Sequence, residues 1–286
     1  GIPDFKLEKN VIDRRVAILE AEGIEFKTNV HVGKNYDAAQ LNDFDAVVLC
    51  GGATQRRKLP IPGAEANGVV QAMDFLKRNN QVVDGLAETT ESLHAAGKNV
   101  IVIGGGDTGS DCVGTSNRHG AESRSEENPW PFWPFTLKTS SSHEEGVERN
   151  WSILTKEFVK NEQGNLTAIK TVEVKWVKIP GERPQLKEVE GSEKEWPCDL
   201  ALLALGFTGP EATLSEQLGL KTDERSNIKG NNYQTNVPHS FTAGDMRRGQ
   251  SLIVWAISEG REAAHHVDKF LMGSSCLLYT SDAADE

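Results

Sequence analysis

The run Asn99 to His119, NVIVIGGGDTGSDCVGTSNRH, constrains this chain more than any other stretch. Val100 to Ile103 are β-branched and uncharged, which suits a strand buried on both faces of a parallel sheet. The strand runs into Gly104-Gly105-Gly106-Asp107-Thr108-Gly109, a match to G-x-G-x-x-G, and a segment of helical character follows. In such a unit Gly104 allows the tight turn, Gly106 lets the backbone approach a pyrophosphate, and Gly109 lets the helix close on the sheet. The phosphates then meet the free N–H groups of a helix N-terminus, which carries roughly half a positive charge. Asp107 reads as a helix cap pointing away from the anion. The bland alternative is a glycine-rich turn that holds no ligand.

Net charge is −11 over 286 residues, which argues against a nucleic-acid partner. The longest uncharged apolar runs, such as Leu200 to Leu205, are far too short to span a membrane. Four cysteines at 50, 112, 198 and 276 form no C-x-x-C. That spacing speaks against a disulfide framework, a zinc site, a redox dithiol or an iron–sulfur cluster within this chain. No metal ligand set and no catalytic side-chain constellation is expected. A cytoplasmic setting is the simplest reading. An organellar one stays open, because the chain begins at Gly1 and reads as a fragment whose targeting signal would lie upstream.

Along the chain, Glu8 to Glu22 has near-helical apolar spacing and stops at Gly23. Ile24 to Val30 alternates as a half-buried strand does, and Asp45 to Cys50 reads as a short buried strand running into Gly51-Gly52. Gly68 to Ala96 reads as helical. Ala121 to Asn128 (AESRSEEN) has no apolar run, so the second strand expected after a glycine loop is missing there. Arg124 is either a clamp for a 2′-phosphate or a solvated loop arginine. Asn128 to Phe135 (NPWPFWPF) reads as a loop. In Ser140 to Glu145 a nucleophile is tempting, but Ser142 and Glu145 have capping-box spacing. Glu157 to Ile179 reads as two strands around Gly164-Asn165. Cys198 to Gly206 repeats the strand-to-glycine pattern of 45–52, which suggests two similarly built domains. Ser240 to Thr242 reads as a strand ending in Gly244-Asp245, and Leu252 to Phe270 as a helix. Asp245 either accepts the ribitol hydroxyls of a flavin or caps a helix. The tail 274–286 reads as foreign to the fold.

These pieces together resemble the small, flavin-containing subunit of glutamate synthase, or the matching C-terminal part of the single-chain enzyme. The matches are GIPDFKLEK at 1–9, CGGATQRRKLPIPG at 50–63, VIGGGDTGSDCVGTSNRHGA at 102–121, SSSHEEGVER at 140–149 and FTAGDMRRGQSLIVWAISEGREAA at 241–264. The resemblance implies an α/β fold of two Rossmann-like dinucleotide-binding domains, the NAD(P)H domain inserted into a discontinuous FAD domain. It places residues 1–63 and 233–273 in a partial FAD domain and 98–232 in the NAD(P)H domain. Residues 64–97 become a helical connection. It carries FAD to Gly51, Gly52, Gly244, Asp245, Gln250, Ser251 and Leu252. It carries NAD(P)H to Gly104, Gly106, Asp107, Thr108 and Gly109. The implied activity is electron entry: NAD(P)H reduces FAD, and iron–sulfur clusters in the missing N-terminal part or a partner pass electrons on for glutamate synthesis. The implied partner is the large subunit, or the N-terminal part of the same polypeptide. Rival readings are another NAD(P)H:acceptor oxidoreductase, such as the electron-entry part of dihydropyrimidine dehydrogenase, and a nucleotide-binding module without turnover. NADH and NADPH are not distinguished.

Overall fold

The structure is a computed structural model that describes residues 1–121, 123–128 (backbone only), 141–177 and 184–277. In chain order its strands are β1 (Val47–Leu49), β2 (Gln55–Arg56), β3 (Val69–Gln71), β4 (Asn99–Ile103), β5 (Ser123–Asn128) and β6 (Glu148–Trp151). There follow β7 (Ile153–Lys160), β8 (Leu166–Val177), β9 (Gln185–Glu188), β10 (Lys194–Pro197), β11 (Leu200–Leu203), β12 (Phe207–Gly209) and β13 (Ser240–Thr242). The α-helices are α1 (Lys9–Ala21), α2 (Ala72–Val83), α3 (Asp107–His119), α4 (Ser141–Glu144), α5 (Ala212–Gln217), α6 (Asp245–Arg248) and α7 (Ile253–Met272). The chain forms two compact units, Gly1–Ile24 with Lys58–Leu205, and Glu25–Arg57 with Gly206–Glu286.

The first unit is built on a parallel sheet in the order β3-β11-β4-β5-β6. Successive residues of its central strands point to opposite faces, and both faces are covered. Val100, Val102, Leu200 and Leu202 meet Phe75 and Leu76 of α2 and Cys112 and Val113 of α3. Ile101, Ile103, Ala201 and Leu203 meet Phe158 of β7 and Ile169 of β8. Those two strands belong to an antiparallel sheet in the order β10-β8-β7, with β9 on the far end of β8. Residues 178–183, including the expected strand end at Ile179, lie outside the described residues.

Several expectations need correction. Ala121 to Asn128 does supply the second strand: β5 runs parallel between β4 and β6, with Asn99 paired to Ser123 and Ile103 to Glu127. Backbone hydrogen bonds on both sides define it, so an apolar run is not required. Within Gly68 to Ala96, β3 precedes α2 because Val69 to Gln71 pairs with β11. Ile24 to Val30 is not a strand; all seven residues are exposed, and no described strand lies beside the stretch to pair with it. The capping box is absent: Ser142 lies inside α4, and its buried Oγ has no partner among the described residues. Glu145 instead receives a bidentate pair from Arg118, at 2.8 and 3.1 Å, the stronger interaction. The Asn128 to Phe135 loop falls largely outside the described residues, as does 278–286.

At the end of α3, His119 fastens the helix to α2. Its Nδ1 accepts the Ala95 N–H at 3.3 Å, so its Nε2–H donates to Asn79 at 2.9 Å. The ring stacks on His94 with centroids 4.2 Å apart. Burial, then the neighbouring His94, push its pKa down from 6.5 to about 4. An unfolded chain takes up this proton below 6.5 and the folded one not until about 4. The stabilisation is therefore complete above pH 6.5 and is lost as pH falls between these values. With partial solvent screening the loss should be about 1–2 kcal/mol. Urea unfolding at a series of pH values should show it, and His119→Gln should flatten that part of the profile.

The second unit is smaller. β1 pairs in parallel with β13, Leu49 opposite Thr242, and β2 pairs antiparallel with β12. Only Leu49 of β1 is buried, because β13 is the single described strand beside it; the expected fully buried strand is therefore half-exposed. Leu49, Leu220, Ile228 and Met246 form one core, and Phe241, Ala243 and Ala263 another with α7.

Candidate functional site

Each unit carries strand ends that run into glycine. In the first, β4 ends at Ile103 and the chain turns at Gly104, whose φ is +131°. A Cβ there would collide with the Ala204 carbonyl, its carbon 2.8 Å away. Gly106 is the N-cap of α3 with φ −88° and ψ −172°, extended backbone open to any residue. No side chain caps this terminus, so the first-turn N–H groups are left for a ligand or solvent. Asp107 is correspondingly not the cap expected from sequence; it is exposed in the first turn, one residue past the cap position. Thr108 is half-buried, and Gly109 is buried beneath the turn. Deeper in α3, Asp111 forms an ion pair with Lys6 at 2.6 Å. Burial pushes its carboxyl up, with Lys6 acting in the opposite direction.

The register of β5 bears on Arg124. It pairs with Val100, three positions before the residue that leads into the glycine turn. At about 3.3 Å per residue that backbone position is roughly 10 Å from the turn. Glu127, paired with Ile103, holds the position beside it. Glu127 is not singled out from sequence, because the stretch that contains it does not read as a strand.

In the second unit the parallel pairing of β1 and β13 places two strand ends side by side, and the Ala243 N–H donates to the Leu49 carbonyl at 3.2 Å. Past these ends a cavity of about 340 Å³ is lined by Cys50, Gly52, Ala243, Gly244, Asp245, Ser251, Ile253 and Ala256. Gly52 has φ +71°, and nothing lies within 4 Å of where its Cβ would be. Gly244 has φ +68° and ψ −150°, a conformation that favours glycine. Asp245 Oδ1 accepts from the Ser251 N–H at 3.3 Å and hydroxyl at 3.4 Å. It does not cap a helix: the N-cap of α6 is Gly244, that of α7 is Leu252, and neither helix has a side-chain cap bond.

The sequence-derived residues thus divide. Gly52, Gly244, Asp245 and Ser251 converge on one cavity. Gly51 rests on Met246 in an adjoining cavity, and the Gln250 side-chain amide donates to the Phe207 carbonyl. Leu252 is exposed at the start of α7. Behind the cavity lies a cluster the sequence did not reveal. Glu259, 2% exposed, accepts from the Gly244 N–H at 2.8 Å and from Arg247 at 3.1 and 2.5 Å. Burial opposes the charge of Arg247, but the bonds to Glu259 prevail and its pKa is raised.

Two units with parallel strands ending in glycine turns define a dinucleotide-binding oxidoreductase fold, and the chain belongs to the pyridine nucleotide-disulphide oxidoreductase family, whose model matches residues 6–260. It is 48% identical to the glutamate synthase [NADPH] small chain of Mycobacterium tuberculosis, over 97% of this chain and 60% of that one. It is 44% identical to glutamate synthase [NADH] of Schizosaccharomyces pombe, over 97% of this chain and 14% of that one. The chain therefore spans little more than half the length of the small chain it matches. Among solved structures, FprA of Mycobacterium tuberculosis in complex with NADPH shares the fold, with a TM-score of 0.68 at 15% identity, covering all of this chain and 78% of that one. Among the described residues no helix is long and apolar enough to cross a membrane.

Proposed function

We propose that this chain is the nicotinamide- and flavin-binding part of a glutamate synthase, the electron-entry flavoprotein that oxidises NAD(P)H. The reading rests on the convergence of Gly52, Gly244, Asp245 and Ser251 on one cavity, and on the glutamate synthase names of its relatives. We assign the flavin to the unit formed by Glu25–Arg57 and Gly206 onward, and the nicotinamide dinucleotide to the unit containing β4 and α3; relative to the bounds expected from sequence, 1–24, 58–63 and the connection 64–97 join the nicotinamide unit and 206–232 joins the flavin unit.

The residues suit such a flavin. A side chain at Gly52 or Gly244 would narrow the cavity, and its volume lies within the range of small-molecule sites. Bound FAD would supply the chemistry, taking a hydride from reduced nicotinamide and releasing electrons singly. Asp245, whose Oδ1 is bonded by Ser251, would accept hydrogen bonds from the ribitol hydroxyls. The N-terminal turn of α7, through Ile253 and Ala256, lines the cavity with the positive end of a 20-residue helix. In the other unit Gly104 makes the turn, Gly106 would leave the approach to the helix N-terminus open, and Asp107, Thr108 and Gly109 would offer first-turn N–H groups to a pyrophosphate. Hydride transfer depends on positioning more than on acid–base groups, so no further catalytic side chain is required. The iron–sulfur clusters, the glutamate-forming partner and a cytoplasmic location belong to this proposal as properties of the whole enzyme. A binding module without turnover loses its ground, since it rested on the missing strand that β5 supplies.

Gly106→Val tests the nicotinamide site. The position has no positive φ, so the variant should melt within about 1 kcal/mol of the parent. Its β-branched side chain would stand where the pyrophosphate approaches, and affinity for NADPH or NADH should fall at least about a hundredfold, some 2.7 kcal/mol. Calorimetric titration with each dinucleotide measures it; unchanged affinity would move the site away from Gly106.

A further inference from the structure

We propose that Glu259 is a positioning residue for the flavin-binding turn: its buried carboxylate, reaching from α7, fixes the Gly244 backbone so that Asp245 faces the cavity. The inference rests on the flavin reading above and goes further, assigning a role to a group outside the cavity lining.

Glu259 is a carboxylate with 3% of its side chain exposed, in the second turn of a helix whose first turn borders the cavity. Burying such a charge is costly unless it is paired and hydrogen-bonded. Its Oε1 takes Arg247 Nη2 at 2.5 Å, with Arg248 at 3.6 Å. Its Oε2 takes Arg247 Nε at 3.1 Å and the Gly244 N–H at 2.8 Å. The Gly244 carbonyl in turn accepts the N–H groups of Arg247 and Arg248 at 3.0 and 2.9 Å. One side chain therefore holds the end of β13, the start of α6 and α7 together, and these are the elements that border the cavity.

Gly244 explains why such a hold is needed. Its φ of +68° with ψ −150° is one of many conformations open to glycine, so the residue does not hold itself. The following residue is Asp245, whose direction depends on that conformation. The two arginines could be neutralised by a surface carboxylate; reaching the Gly244 N–H requires a buried acceptor at this length from α7. Around the carboxylate, Arg247 also stacks on Tyr233 at 4.4 Å, Tyr233 donates to Glu262, and Arg248 stacks on Trp255 at 4.1 Å. The arginines are thus held by aromatic faces as well as by charge, which leaves the backbone bond as the distinctive contribution of Glu259.

Two conservative variants separate reach from charge. Glu259→Gln keeps an acceptor at the same length and removes the charge. Glu259→Asp keeps the charge and withdraws the acceptor by one methylene. Each full chain is titrated with FAD and with NADPH, and amide hydrogen exchange is followed over residues 243–249. We expect Glu259→Asp to bind FAD about tenfold more weakly, with faster exchange at Gly244, while NADPH affinity is unchanged. Glu259→Gln should stay within about threefold of the parent for FAD. The opposite order would assign the effect to ion pairing and overturn the proposal, as would equal FAD affinity in all three proteins or an equal loss in both variants. A parent chain that binds no FAD while its Gly244 amide is protected would instead overturn the flavin reading and this role with it. The two failures are therefore distinguishable.

Discussion

Gly104→Ala should unfold the unit built around β4 and remove dinucleotide binding with it. The position combines φ +131° with a backbone carbonyl where the Cβ would go. A strained φ alone costs about 1–3 kcal/mol for a residue other than glycine. The Ala204 carbonyl cannot move aside cheaply, because the Ala204 N–H donates to the Ile103 carbonyl at 2.8 Å and ties the end of β11 to the end of β4. Relief of the clash would separate strands whose residues Val100, Val102, Leu200 and Leu202 are at most 1% exposed. The combined loss should exceed about 4 kcal/mol, a large part of the stability of an ordinary domain. Chemical denaturation measures it directly. A near-parental midpoint would mean that the turn is not held as described. The contrast with Gly106→Val is informative: of two glycines in one motif, the first is held by a positive φ and a backbone carbonyl, whereas the second has ordinary extended backbone and is proposed to serve the dinucleotide.

Asp245→Ala should produce the largest loss in flavin affinity, about ten- to a hundredfold. A charge-assisted hydrogen bond contributes roughly 1.5–3 kcal/mol, and the variant removes the acceptor. The effect on the protein without flavin should be small. The two bonds from Ser251 are long, at 3.3 and 3.4 Å, and exposed, so they contribute less than about 1 kcal/mol. FAD titration and melting of the flavin-free protein separate these effects. Normal FAD affinity with a lowered melting temperature would make Asp245 a structural residue and remove it from the site.

Much of this architecture could be read from residue pattern where one signal dominated. β4 and β11 are apolar runs buried on both faces, and the hairpin of β7 and β8 is marked by Gly164-Asn165 between alternating residues. α1 and α7 follow helical spacing, and glycine ends each of them, Gly23 with φ +94° and Gly273 with φ +82°. Elements defined by partners were not legible. β5 is polar and exists by pairing on both sides, β3 is three residues long against β11, and Ile24 to Val30 has a strand pattern but no described strand to pair with. The site divides in the same way. Glycines with special backbone angles announced themselves as motifs, whereas Glu259 reaches Gly244 across 15 residues of sequence and looks in isolation like any helical acid. Arg124 could not be placed until the register of β5 set it beside Val100, away from the residue that leads into the glycine turn.

The most direct test of the central claim, that this chain binds both a flavin and a nicotinamide dinucleotide and passes a hydride between them, is an anaerobic titration. The chain is loaded with FAD, freed of excess flavin, and mixed with NADPH or NADH while the visible absorbance of the flavin is followed. The bound flavin should bleach with one equivalent of reduced dinucleotide, and both Gly106→Val and Asp245→Ala should suppress the bleaching. Retention of FAD without bleaching by either dinucleotide, or bleaching that is indifferent to both substitutions, would contradict that claim.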